Sequence, residues 1–341
     1  MQIGSQNEEE NRMKKIIALV LSLVMVFALA ACGSGGTAAT AAPATDTDTV
    51  AVGAVVIARD DVSSDDVYAF VSTIFDNIAA IGEQHGKGKE LDMAFASGIT
   101  SVPYHPGAAK YFSEKGITVA SVKDGAGTGA SKALTFGTGG ESGTYYAFGG
   151  VLSSYVTTNG GLSVTAVTSN GSKANVEDLT AGNIQLAFVQ SDVMSYAYNG
   201  ERLFDAPVEG FSVVAALYME QVQIVTTNSA IKSVADLKGK SVSIGAAGSG
   251  VYFNAIDVLE AYGMTESDIK AVYQSFGDSA DSLKDGKIDA AFIVAGAPTT
   301  AITDLATTGK VSLVSLDADH VNSLLASSPY YSAYTIPAGT Y

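Results

Sequence analysis

The chain has 341 residues, 47% hydrophobic and only 16% charged, enough for two domains with buried cores, and this excludes a disordered chain. Nineteen Lys and Arg against 35 Asp and Glu leave a net charge of −16, a field that repels nucleic acid and anionic headgroups. A site for an anion must therefore work through short-range dipoles and hydrogen bonds.

At the N-terminus, Lys14 and Lys15 precede the apolar run Ile16 to Ala31, too short and too abruptly ended for a membrane span. It reads as a secretory signal over residues 1–31, with initiation at Met13 because the acidic stretch before it is out of place ahead of such a signal. Leu29-Ala30-Ala31-Cys32 resembles a bacterial lipobox. That resemblance implies cleavage before Cys32 and lipidation of its sulfur, leaving residues 32–48 as a tether and the protein on the outer face of a membrane. Cys32 is the sole cysteine, so no disulfide forms within the chain.

From Leu134 the chain reads LTFGTGGESGTYYAFGGVL, a strand-like stretch, a Gly-rich turn and a helix-compatible segment. About 108 residues later, from Val242, comes VSIGAAGSGVYFNAIDVLEAYG. Farther on, LTAGNIQLAF from Leu179 matches LKDGKIDAAF from Leu283 as Leu-x-x-Gly-x-Ile-x-x-Ala-Phe. Such a repeat predicts an α/β fold of two lobes on one plan, each a parallel sheet flanked by helices, with a ligand cleft between their matching edges.

Neither Gly-rich copy is a nucleotide loop. The first lacks the P-loop Lys and reads Gly137-x-Gly139-x-x-Ser142 where a dinucleotide loop needs a third glycine, and the second also lacks the Lys. What remains is the affinity of helix N-termini for an anion, with glycines letting a small carboxylate approach the backbone. Hydroxyls of Ser142, Thr144 and Ser249 can cap those helices or donate to the ligand. The three arginines, Arg12, Arg59 and Arg202, fall outside these loops, so neutral donors must hold the anion, with Arg59 in reserve. His85, His105 and His320 lack metal-ligand spacing, and His105 reads as structural. No nucleophile elbow has suitable flanks; Gly248-Ser249-Gly250 comes nearest. No metal, cofactor or enzymatic activity is expected.

The stretches FGTGGESGTYYAFGG, TSNGSKANVEDLTAGNIQLAFVQSD, IKSVADLKGKSVSIGAAGSG, AFIVAGAPT and VPYHPGAAKYFSEKG together resemble the TAXI family of extracytoplasmic solute receptors. These receptors serve tripartite ATP-independent periplasmic (TRAP) transporters. The resemblance implies a two-lobed periplasmic-binding-protein fold, type II-like and monomeric, closing on a small organic anion such as glutamate, a dicarboxylate or a 2-oxoacid. It implies delivery to membrane permease subunits; the other readings are a ligand sensor for a signalling receptor and an extracellular hydrolase. The segments stand in circularly permuted order, the HPGA segment coming first. The expected lobes are 59–222, with a flexible linker at 121–132, and 223–341 plus 49–58, hinged near Gln221 to Thr227 and Val55 to Arg59. Asp46 and Tyr341 should lie within about 15 Å of each other.

By resemblance and by the helix-terminus argument, the ligand-binding residues are Gly139, Gly140, Ser142, Gly143, Thr144 and Tyr145, then Ser169, Asn170, Gly171 and Asn175, then Gln190 and Asp192. Ala247, Gly248, Ser249, Gly250, Gly296 and Pro298 face them from the other lobe. Asp192 can accept from a ligand ammonium.

Overall fold

The uncharged, valine-rich run 49–58 forms the centre of strand β1, Thr47–Arg59, buried on both faces as such a composition requires. The structure is a computed structural model that describes residues 42–129 and 133–341, so the expected signal, Cys32 and the start of the tether lie outside the described residues. Helices α1 (Ser64–Phe75), α2 (Ile78–Gln84), α3 (Met93–Ala96) and α4 (Pro106–Glu114) follow β1. The first repeat then gives β2 (Ala133–Gly137), α5 (Thr144–Asn159), β3 (Ser163–Val167), α6 (Ser172–Thr180), β4 (Leu186–Gln190) and α7 (Ser191–Asn199). A long return strand, β5 (Phe211–Thr226), leads to the second: β6 (Ser241–Ser243), α8 (Val251–Ala261), β7 (Lys270–Val272), α9 (Phe276–Lys284) and β8 (Ala290–Ala295). The chain ends with α10 (Thr300–Ala306), β9 (Ser312–Leu313), α11 (Ala318–Ser327) and β10 (Ser332–Ile336).

Strand order is β3-β2-β4-β1-β5-β8-β6-β7, with β10 added to β1 and β9 to β5. Within the first repeat β2 lies parallel to both β3 and β4, and within the second β6 lies parallel to both β7 and β8. The two repeats are thus the same βαβ plan, as parallel strands joined through helices demand. The architecture is the expected α/β fold of two lobes, joined through the antiparallel pair β1 and β5.

Those two strands change lobes in mid-course. Ala54 to Ala58 and Phe211 to Tyr218 pack in the first core, whereas Val50, Val52, Val222 and Ile224 pack in the second. The crossings therefore fall at Val52–Gly53 and Met219–Gln221, and residues 54–58, assigned to the second lobe from sequence, belong with the first. The reason is pairing: Ala54–Ala58 bond to β4, while Thr47–Ala51 bond to β10. A uniformly apolar strand carries no mark of where its partner changes.

Two expected flexible segments are held. Ala42 exchanges backbone hydrogen bonds with Tyr341 at 2.8 and 2.6 Å, and the Asp46 carboxylate accepts from the Ala338 amide at 2.9 Å. Residues 42–48 are therefore part of the fold and not of a tether, with Ala42 and Asp46 bonded to residues 338–341. In the linker, the Lys123 amide donates to the Tyr104 carbonyl, the Gly127 amide to Asp60 and the Ser64 amide to Gly127, at 2.8, 2.7 and 3.1 Å. Backbone bonds to Tyr104, just before α4, and to α1 and its approach thus hold residues 123–127, and 130–132 lie outside the described residues.

Aromatic stacking supports the floor of the first lobe. Phe188 on β4 is fully buried, with ring centroids 4.9 Å from Phe136 and 4.6 Å from Tyr145, the latter at an interplanar angle of 8°. Phe188→Ala should cost about 3–5 kcal/mol, read as a lower denaturation midpoint in urea; a loss below about 1 kcal/mol would contradict this packing.

Candidate functional site

Four helix N-termini point at one cavity, of about 70 Å³, between the repeats. Gly143 precedes α5, Gly171 precedes α6 and Gly250 precedes α8, and none of these caps offers a side-chain hydrogen bond to the first turn. The fourth, α9, is capped by Ser275, whose hydroxyl accepts from the Asp278 amide. An α-helix leaves its first amides without helical acceptors, so uncapped termini concentrate donors and partial positive charge at the cavity. Gly250 leaves room for a side chain of the facing lobe: a Cβ there would lie 1.5 Å from Gln190 Oε1.

Of the residues expected from sequence, Gly139, Gly140, Gly143, Thr144, Tyr145, Ser169, Asn170, Gly171, Gln190, Ser249 and Gly250 line this cavity. The others stand outside its lining. Asn175 is buried and donates to the carbonyls of Thr138 and Phe188 at 2.8 and 2.7 Å, fixing the loops that carry the site. The Gly248 carbonyl accepts from the Ala174 amide, beside Ala247, and the Ser142 carbonyl accepts from the Ala301 amide, both across the cleft. The Gly296 carbonyl accepts from the Thr144 hydroxyl at 2.9 Å, and Pro298 follows a cis peptide bond. Asp192 is fully buried outside the lining and accepts from Asn254 Nδ2 at 2.9 Å through one oxygen. These cross-lobe bonds describe a closed cleft.

The histidines lie off the lining. His105 caps α4, its Nδ1 accepting from the Gly107 amide and its Nε2 facing the Val62 carbonyl, and burial pulls its pKa down to about 4. His85 packs at a tilt against Phe148, and His320 stacks on Tyr262 and pairs with Asp317. Arg59 is held by Asp61 and the Ile184 carbonyl, and Arg202 by Asp257. Among the described residues no group of three or more His, Cys, Asp and Glu could hold a metal ion, and no helix is long and apolar enough to cross a membrane.

Sequence reasoning missed Glu220, Ser172 and the apolar wall of Val251, Phe276, Val294 and Ala295. Glu220 sits where β5 changes lobes, is 2% exposed, and accepts from the Tyr145 hydroxyl at 2.6 Å. Its isolation was the available signal, since it is the only charged residue in the run 211–226. Burial pushes its pKa up to about 8, opposed by the Tyr145 hydrogen bond and by Lys87 and reinforced by the Asp192 charge. Burial likewise lifts Asp192 to about 7. Lys87 is buried too, bonded to Glu90 at 2.6 Å and passing Gly296 so closely that a Cβ there would lie 2.4 Å from its Cε.

Both carboxyls are more basic folded than unfolded, so the folded state holds protons that the unfolded chain releases, and their contribution to stability is lost as pH rises through about 7 to 8. Between pH 8.5 and 6.5, where His105 stays neutral, the melting temperature of the wild type should rise relative to Glu220→Gln as pH falls. Parallel profiles for the two proteins would contradict this assignment.

Comparison with known proteins places the geometry in context. Among solved structures, the chain overlaps the aliphatic sulphonate binding protein SsuA of Escherichia coli at 22% identity and TM-score 0.35, covering 55% of this chain and 57% of that one. An ancestral arginine-binding protein overlaps at 17% identity and TM-score 0.39, over 54% and 79%. A periplasmic binding protein from Brucella ovis with glutathione bound overlaps at 13% and 0.37, over 54% and 59%. The chain thus spans less than two thirds of the SsuA it matches. By sequence, residues 35–116 and 136–341 match one family over most of the chain, and the protein belongs to the NMT1-like family.

Proposed function

We propose that the protein is an extracytoplasmic solute receptor that captures a small organic anion between its lobes and hands it to the membrane subunits of a TRAP-type permease. The reading carries with it a lipid anchor at Cys32, an outer-face location, the TAXI resemblance and the lobe division at the β1 and β5 crossings. One observation supports it above the others: four helix N-termini converge on a closed cavity whose lining holds no lysine or arginine. A partly buried helix terminus stabilises an anion by up to about 2 kcal/mol, so the three uncapped termini supply at most roughly 6 of the roughly 8 kcal/mol of a micromolar receptor, and the hydroxyls and apolar wall supply the rest.

The cavity sets the size of the guest. At about 10–15 Å³ for each water-sized centre, its 70 Å³ admits roughly five to seven such groups, the scale of a short-chain acid and not of a nucleotide. The apolar wall of Val251, Phe276, Val294 and Ala295 suits the carbon chain, and the amide-rich side suits the carboxylate. Three-carbon 2-oxoacids, with six non-hydrogen atoms, meet these terms in the cleft as closed here, whereas glutamate and C4 and C5 dicarboxylates, with eight to ten, require it to close less tightly.

Thermal shift on protein stripped of carried-over ligand, against a panel of such acids and their neutral amides, tests the reading. At least one acid should stabilise the protein by several degrees and its amide should not; a panel without any stabilising acid would overturn it. Ser249→Asp, which sets a carboxylate in the cavity beside α8, should abolish the shift. Gly250→Ala should keep the fold but hold the lobes apart, seen as a larger radius of gyration in solution scattering with ligand present; full compaction would contradict the contact with Gln190.

A further inference from the structure

A chain of hydrogen bonds of fixed polarity runs from the protein surface to the cavity, crossing between the lobes three times. Asp257 on α8 accepts from Arg202 Nη2 at 2.7 Å through one oxygen and from the Tyr331 hydroxyl at 2.8 Å through the other. An ionised carboxylate paired with arginine only accepts, so the Tyr331 proton is committed to Asp257. The Tyr331 oxygen is then left to accept, and it does so from Asn254 Nδ2 at 2.8 Å. The same amide nitrogen donates to Asp192 Oδ2 at 2.9 Å. With its NH₂ group turned to Tyr331 and Asp192, Asn254 must turn its carbonyl to Gln190, whose Nε2 donates to it at 2.8 Å. No member of this series can be flipped without breaking its neighbour's bond.

The last orientation decides what the cavity offers. Gln190 lines the cavity, is only 3% exposed, and its Oε1 is a buried acceptor without a hydrogen-bond partner. A buried carbonyl oxygen left unpaired costs about 1–3 kcal/mol, which a guest carrying a donor hydrogen recovers and a guest with acceptors alone does not. We propose that Asn254 is a cross-lobe positioning residue that turns Gln190 into an acceptor for the ligand, so that the closed cleft selects organic acids bearing a donor, an ammonium or a hydroxyl, over oxo acids and simple dicarboxylates. Gln190, Asp192 and Arg202 belong to the first lobe and Asn254, Asp257 and Tyr331 to the second, so the orientation is imposed only on closure and open-state binding does not discriminate.

This inference rests on the receptor reading above and narrows it. The test is calorimetric titration of stripped protein with matched acids differing at C2: alanine, lactate and pyruvate, and glutamate, 2-hydroxyglutarate and 2-oxoglutarate. The amino or hydroxy member of at least one series should bind about tenfold or more tighter than its oxo counterpart. Asn254→Ala should narrow that ratio to about threefold or less, and Tyr331→Phe, nearly isosteric, provides the same readout if the first variant does not fold. Collapse of the ratio in either variant supports the relay. A wild-type oxo acid that binds as tightly as its partners in both series, or a ratio unchanged in both variants, overturns the inference while leaving an acid receptor standing. Failure of every acid to bind overturns both.

Discussion

Backbone N–H groups at the start of a helix have no helical partner, and this constraint organises the cleft. A serine or aspartate side chain commonly satisfies them, whereas α5, α6 and α8 follow Gly143, Gly171 and Gly250 without a side-chain cap, and apart from the Ala174 amide of α6, which bonds the Gly248 carbonyl, their first-turn amides stand at the cavity. The repeat matters because it supplies that arrangement twice, on facing edges, from one βαβ plan. A chain of net charge −16 cannot attract an anion from a distance, so selection falls to groups in direct contact.

Closure converts those loose ends into a site. The Thr144 hydroxyl reaches the Gly296 carbonyl, the Ala174 amide the Gly248 carbonyl and the Ala301 amide the Ser142 carbonyl. Each bond joins the first turn of a helix in one lobe to a loop carbonyl of the other, so the elements that line the cavity also clamp the cleft. Behind them, the acids at the lobe junction are accommodated in different ways: Asp257 accepts from Arg202 and from the Tyr331 hydroxyl, whereas burial raises the pKa of Glu220 and of Asp192. Glu220 stands on β5 at the crossing itself, and so places a cavity residue on a strand shared by both lobes.

Much of this was legible in the sequence, and the exceptions are physical. Glycines at turns and the Leu-x-x-Gly-x-Ile-x-x-Ala-Phe echo exposed the two lobes, because turn chemistry and strand-helix periodicity are local. Asn175 and Asp192 resembled ligand contacts because they follow strand ends, yet a buried amide or carboxylate there serves equally to bind neighbouring loops, and only three-dimensional placement separates the two roles. Asn254 was invisible for the opposite reason. It lies one turn into an ordinary amphipathic helix, and its importance comes from Tyr331 and Gln190, 77 and 64 residues away in the chain. The crossings of β1 and β5 were misplaced because a strand apolar on both faces reads alike on either side of a lobe boundary.

The central claim is that a small acid is held in the closed cleft by backbone amides at the starts of α5 and α8, not by cationic side chains. A crystal structure of the complex with the most stabilising acid tests it most directly. The account predicts carboxylate oxygens within about 3.2 Å of those amides, with the lobes closed as described. A carboxylate paired with Lys87 or an arginine, or seated away from both glycine turns, would contradict it.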